Sequence, residues 1–286
     1  MPGCPALSES SSRSDPPVEQ TSSASRADVC ATTRPNASTP NPRDALSPND
    51  PQATLPGSAG PSPMRVDPQQ VPIVDDGQRL PAVDAERLRP DALRRRFAAP
   101  PHWQPEMVGD ALRLRTQPRD AAVLVPIVMR PGGATVLLTQ RTAHLSSHAG
   151  QVAFPGGRRD PEDASSQAAA LREAEEEVGL AREYVEVLGQ LPEYLTGTGY
   201  RVVPVVGLVR PDFTLTLQVD EVAAAFEVPL AFLMDPAHHQ KRRLTTETGS
   251  RTFYAMPYRV PATQREFFIW GATAAMLRNL YRFLSA

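Results

Sequence analysis

The chain has 286 residues, of which 41% are hydrophobic and 22% charged, with a formal net charge of -2. That balance fits a soluble globular protein and argues against a dedicated nucleic-acid binder, which carries a basic excess. No apolar run reaches the ~18 residues of a membrane span; the longest, 121–129, is broken by Pro126. No basic stretch followed by an apolar one opens the chain, so no secretory signal or membrane association is expected, and cytoplasm is the expected compartment.

Residues 1–66 hold twelve of the 31 prolines and twelve serines, and the first aromatic residue is Phe97. Such a segment cannot bury enough apolar surface to offset its ordering entropy, so 1–66 is expected to be a disordered tail and 67–286 the folded domain. A translation start at Met64 would give the same picture. Both cysteines, Cys4 and Cys30, fall in the tail, which removes thiol catalysis and thiol metal sites from the domain. Lys241 is the only lysine, so Schiff-base chemistry and a phosphate-binding P-loop are not expected.

In chain order, 82–97 reads as short helical pieces with Asp91 as a candidate cap. Residues 122–129 and 134–140 read as strands joined by the turn Arg130-Pro131-Gly132-Gly133, a β-hairpin. A glycine-punctuated loop, 141–157, follows. The strongest helix is 164–178, built from Ala, Leu, Glu, Gln and Arg and closed by Gly179. Strand-like runs are 184–191, 202–209, 213–219 and 252–258, and a last helix runs from 270 to about 284. This mixture predicts an α/β or α+β fold with a mixed sheet.

Glu173, Glu176 and Glu177 are spaced i, i+3, i+4, which puts them within roughly 100° of one helix face. Like charges so placed repel, and the helix C-terminus disfavours anions. A divalent cation removes both objections, and oxygen-only ligands suit Mg²⁺ or Mn²⁺. The alternative is a solvated acidic face. Before the helix, Gly156 and Gly157 allow positive φ and close backbone approach, so a carbonyl or amide can reach a metal or a phosphate.

The stretch from Gly157 to Leu180 resembles the box of the Nudix hydrolases. Arg172-Glu173-Ala174-Glu175-Glu176-Glu177-Val178-Gly179-Leu180 matches its second half in full. In the first half the acidic position falls on Asp163, with eight residues rather than seven before Arg172; Asp163 is expected to cap the helix. The resemblance implies an α/β/α sandwich, Mg²⁺ or Mn²⁺, and hydrolysis of a nucleoside diphosphate joined to another moiety. It also implies that Glu173, Glu176 and Glu177 are metal ligands, that Glu176 or Glu177 handles the water, and that Arg172 braces the glutamates.

The preceding segment, Leu137 to Gly157, resembles the one that marks the coenzyme A diphosphatase branch of that family. It matches at Leu137, Leu138, Thr139, Arg141, Gly150 and Phe154–Gly157; Thr142 replaces Ser or Ala, and Ser146 replaces Arg. Asp220-Glu221-Val222, 226–230 and 269–273 resemble the family's later elements. The resemblance implies a small-molecule substrate, coenzyme A or its thioesters, cut to 4′-phosphopantetheine and adenosine 3′,5′-bisphosphate. ADP-ribose, NADH or a nucleoside triphosphate are the nearer alternatives, and a non-catalytic nucleotide sensor the more distant one. Arg141, Arg158 and Arg159 can make charge-assisted bonds to phosphate oxygens, and His144 and His148 can donate as well. Glu221 is the candidate base outside the helix. The cluster Lys241-Arg242-Arg243 reads as a solvated strand edge. A homodimer is compatible with these features.

Overall fold

The computed structural model describes residues 66–75, 77, 79–110, 117–143, 150–247 and 249–286. His144, Ser146, His148 and all but the last residue of the expected tail lie outside them. In chain order the elements are β1 (Ile73–Asp75), α1 (Pro90–Ala98), β2 (Arg119–Val128), β3 (Thr135–Arg141), β4 (Val152–Ala153), β5 (Gly156–Arg158), α2 (Ser166–Val178), β6 (Val185–Gln190), β7 (Tyr194–Leu195), β8 (Tyr200–Val209), β9 (Val222–Pro229), α3 (Leu230–Leu233), β10 (Gln240–Thr246), β11 (Gly249–Arg259), β12 (Glu266–Trp270) and α4 (Gly271–Ser285).

A mixed sheet holds the order β4-β3-β2-β8-β6. β2 runs parallel to β8 over its whole length and antiparallel to β3. Side chains alternate across β2. Ala122, Leu124 and Val128 pack with Ala169, Ala170, Ala174 and Val178 of α2. Ala121, Val125 and Ile127 face the opposite way, into a core with Leu277, Leu280 and Tyr281 of α4. The sheet is therefore sandwiched between α2 and α4, the expected α/β/α arrangement. A second, antiparallel sheet, β1-β10-β11-β12, was not foreseen.

One irregularity positions the site. β2 and β3 pair only beside their turn, at Ile127↔Val136 and Val128↔Thr135, and then part. Residues 152–158 fill the split. β4 bonds to β3, and β5 bonds to β2 at Ala121↔Arg158, Ala122↔Gly157 and Val123↔Gly156. Gly156 has φ 152°, and a side chain there would meet the Ala122 carbonyl at 2.4 Å. Only glycine fits this wedge.

Four local expectations need correction. Asp91 lies inside α1, whose N-cap is Arg89. Ser165, not Asp163, caps α2: its hydroxyl accepts from the Ala168 amide at 3.1 Å. Residues 213–219 alternate half-buried with exposed, as a strand would, yet pair with no strand. Instead the Thr216 and Gln218 amides donate to the Val178 and Glu177 carbonyls at the end of α2, each at 2.9 Å. Those carbonyls have no intrahelical partner, and the extended segment satisfies them. Finally, Lys241-Arg242-Arg243 is no sheet edge, because β1 pairs with β10 there. Arg242 is buried and donates to the carbonyls of Gln69 at 2.7 Å and Val71 at 2.8 Å.

Candidate active site

The site forms where the glycine wedge meets the C-terminal half of α2. Arg172 is its hub. Its Nε donates to Asp163 Oδ1 at 3.1 Å and its Nη2 to Asp163 Oδ2 at 2.9 Å, a bidentate pair. Nη2 also donates to the Arg158 carbonyl at 3.1 Å. Nη1 lies 3.0 Å from Glu176 Oε2 and 3.0 Å from Glu173 Oε1. Arg172 thus ties two glutamates to the wedge. Asp163 anchors the hub from the far side and accepts from the Asp160 amide at 2.8 Å. The Arg172 bonds hold the Asp163 carboxyl below the ordinary carboxylate range.

Glu177 points the other way, toward the split. Its carboxylate is buried, and Oε2 accepts from the Gly156 amide at 3.1 Å. Burial pushes this carboxyl up to about 7, although the Gly156 bond and Arg141 pull it down; the charges of Glu173 and Glu221 add to the rise. Burial also raises Glu173, against the pull of Arg172. Gly157 is tightly fitted, since a side chain there would meet the Glu173 carboxylate at 2.5 Å. Arg141 lies between two carboxylates, with Nη1 3.7 Å from Glu177 Oε1 and Nη2 4.0 Å from Glu221 Oε2. Glu221 precedes β9, and its carbonyl accepts from the Thr142 amide at 2.9 Å. The chain reversal before β9 therefore brings Glu221 to the glutamates of α2.

A cavity of about 670 Å³ opens beside this cluster. Its walls are mainly apolar, with Val123, Phe154, Val202, Phe253 and Trp270 among them. Gly156, Gly157, Arg158 and Arg141 form the end near the glutamates. Val66, Pro68 and Val71, strapped to β10 by Arg242, close another side together with Leu244 and Arg251 of the second sheet.

Of the residues expected at the site, Glu173, Glu176, Glu177, Glu221, Arg141, Gly156, Gly157 and Arg158 are brought together. The three α2 glutamates do not converge on one point, because Arg172 occupies the space between Glu173 and Glu176; among the described residues no group of three metal-ligating side chains is gathered. Arg159 turns away to the Asp163 carbonyl, 3.2 Å from its Nη2. Sequence reasoning did not reach the anchoring role of Asp163, nor the walls supplied by 66–71 and β11. Asp163 sits nine residues from Arg172, and only the fold makes them neighbours. Nothing local in β11 marks it as part of a cavity.

The NUDIX domain family matches residues 118–249. Over 162 residues the chain is 47% identical to the uncharacterized Nudix hydrolase NudL of Escherichia coli (strain K12), covering 57% of this chain and 81% of that protein. The same figures hold for NudL of Shigella boydii serotype 18. Among solved structures, a Nudix hydrolase from M. smegmatis, RenU, is 25% identical, with a TM-score of 0.36 over 45% of this chain and 80% of that one. The chain belongs to the Nudix hydrolase family. It is accordingly a hydrolase of pyrophosphate-containing small molecules, and such hydrolases generally use divalent metal ions. Among the described residues no helix is long and apolar enough to cross a membrane.

Proposed function

We propose that this enzyme cleaves the pyrophosphate of coenzyme A and its thioesters, releasing 4′-phosphopantetheine or its acyl form and adenosine 3′,5′-bisphosphate. One observation carries the reading. The segment that resembles the coenzyme A branch, 137–157, supplies the wall between the glutamates and the cavity through Arg141, Phe154, Gly156 and Gly157. A long substrate with a central pyrophosphate fits a roomy, mainly apolar cavity that has cations at its glutamate end.

Glu173, Glu176 and Glu177 are the residues that would hold Mg²⁺ or Mn²⁺. Their oxygen-only set suits a hard cation, and the buried, proton-favouring carboxyl of Glu177 is one that a neighbouring positive charge would return to its ionised form. The bound ion would neutralise pyrophosphate charge and acidify a water. The chain's own groups do the rest. Arg172 fixes Glu173 and Glu176 in place. The Gly156 amide orients Glu177, and Arg141 and Arg158 face the phosphates. Glu221, half-exposed beside Arg141, accepts the proton of the attacking water.

The test is a hydrolysis screen with Mg²⁺ and Mn²⁺ over coenzyme A, acyl-coenzyme A, NADH and ADP-ribose. Adenosine 3′,5′-bisphosphate should appear from the first two with the highest kcat/KM. Faster turnover of NADH or ADP-ribose would overturn the substrate assignment and leave the family chemistry standing.

A further inference from the structure

The wall that the second sheet gives the cavity has its own chemistry. β11 and β12 pair antiparallel with Ala255 opposite Trp270. Phe253 is two residues from Ala255, so Phe253 and Trp270 share one face as diagonal neighbours. Their rings meet edge to face, with centroids 5.6 Å apart, and both remain partly exposed toward the cavity. Arg251 lies two residues further along β11, on the same face, about 7 Å from Phe253 along the strand. Its guanidinium makes no hydrogen bond or ion pair with any described residue, although its charge reaches Tyr194. Among the described lining residues the one carboxylate, Asp110, is occupied: it accepts from the Tyr194 hydroxyl and the Gly197 amide, each at 2.5 Å.

Aromatic rings open to the cavity beside an uncommitted guanidinium match a nucleoside that carries a phosphate on its ribose. The ring system stacks, and the guanidinium grips two phosphate oxygens. Arg141 cannot take that role, because its nitrogens sit 3.7 and 4.0 Å from the carboxylates of Glu177 and Glu221, next to the bond to be cut. We infer that Phe253, Trp270 and Arg251 form a subsite for a 3′-phosphorylated nucleoside, with the base on the aromatic pair and the ribose phosphate on Arg251. This deepens the coenzyme A reading and rests on it. It places recognition of the extra phosphate on the second sheet.

The test uses the whole chain with Mg²⁺. Calorimetry compares adenosine 3′,5′-bisphosphate with adenosine 5′-monophosphate on the wild type, Arg251→Ala, Arg251→Lys and Phe253→Leu. Kinetics compares coenzyme A with 3′-dephospho-coenzyme A. Arg251→Ala should weaken the bisphosphate, and lower kcat/KM for coenzyme A, roughly ten- to a hundredfold, while the monophosphate and the dephospho substrate change little. Arg251→Lys should recover part of the loss, and Phe253→Leu should weaken both nucleotides alike. Equal losses on both nucleotides for Arg251→Ala, or no preference of the wild type for the bisphosphate, would overturn the subsite. A wild type that prefers the bisphosphate yet leaves coenzyme A intact would overturn the function and not the subsite.

Discussion

Two clusters of charge among the described residues are built on opposite terms. In one, Arg278 of α4 donates to Glu106 at 2.8 Å and to His239 Nδ1 at 3.1 Å, and Tyr254 bonds the other Glu106 oxygen. Burial alone would push the Glu106 carboxyl up, but the bonds from Tyr254 and Arg278 outweigh it and hold it below the usual range. In the other cluster the Glu177 carboxyl has one backbone amide and a distant arginine, and it stays raised to about 7. The first cluster is complete within the chain and serves stability. The second is short of positive charge, and the proposed metal site rests on that shortage.

Removing the hub of the complete cluster should cost most. Arg278→Met removes a buried guanidinium and its bonds to Glu106 and His239, leaving Arg282 at 3.8 Å as the remaining cation beside the partly exposed carboxylate, and urea unfolding should show a loss of about 3 kcal/mol. A loss below about 1 kcal/mol would mean that the cluster is not the anchor of α4.

His239 gives the same cluster a pH signature. Its Nδ1 faces the Arg278 guanidinium, a donor only, so Nδ1 must accept and Nε2–H donates to the Leu233 carbonyl at 2.8 Å. Burial, with Arg278 adding to it, pushes the imidazole down to about 4, against the pull of the Leu233 bond. The unfolded imidazole protonates near pH 6.5. Between these values the unfolded chain binds a proton that the native one lacks. Stability is therefore full above about pH 6.5 and falls toward pH 4, by up to about 3 kcal/mol. In His239→Gln this slope should flatten; an unchanged slope would assign it to other groups.

Glu177→Gln sharpens the contrast from the other side. Turnover should fall at least ~10²-fold, about 2.7 kcal/mol of barrier, while the melting temperature holds or rises. A variant that keeps wild-type turnover, or that unfolds, would place Glu177 with the stabilising cluster. Asp163→Asn should act more weakly: one charge leaves the Arg172 clamp, and kcat should drop about tenfold, roughly 1.4 kcal/mol, with KM little changed. A change in KM alone would mean that the clamp positions substrate rather than glutamates. The smallest effect belongs to deletion of residues 1–63. Melting temperature and kcat/KM should stay within error, whereas deletion through Val71 also removes a cavity wall and the partners of Arg242, and should lower both.

What was legible in the sequence was what short-range pattern dictates. The β2–β3 hairpin, α2 with its Gly179 cap, β6, β8 and α4 each carry their own period and punctuation. The glutamate spacing and paired glycines likewise put Glu173, Glu176 and Glu177 on one helix beside Gly156 and Gly157, but the way Arg172 separates Glu173 and Glu176 from Glu177 is set by the fold. The rest depends on partners distant in the chain. Residues 213–219 carry a strand-like run, but the amides of Thr216 and Gln218 are used by a helix end instead of a strand. The alanines of β9 have little strand propensity, and pairing with β3 decides their conformation. Arg242 reads as a solvated cation because it is held by Gln240 and by main-chain carbonyls of 68–71, and no acidic partner in the pattern reveals them.

The wedge at 152–158 has one further use. The amide of Gly156 bonds to a carboxylate instead of to another strand, at the point where β2 and β3 part. A proton resonance there responds to whatever shares the charge of Glu177. Isotope labelling of glycine alone would turn this amide into a native gauge of site occupancy, read at one position, without a substrate, a dye or a mutation.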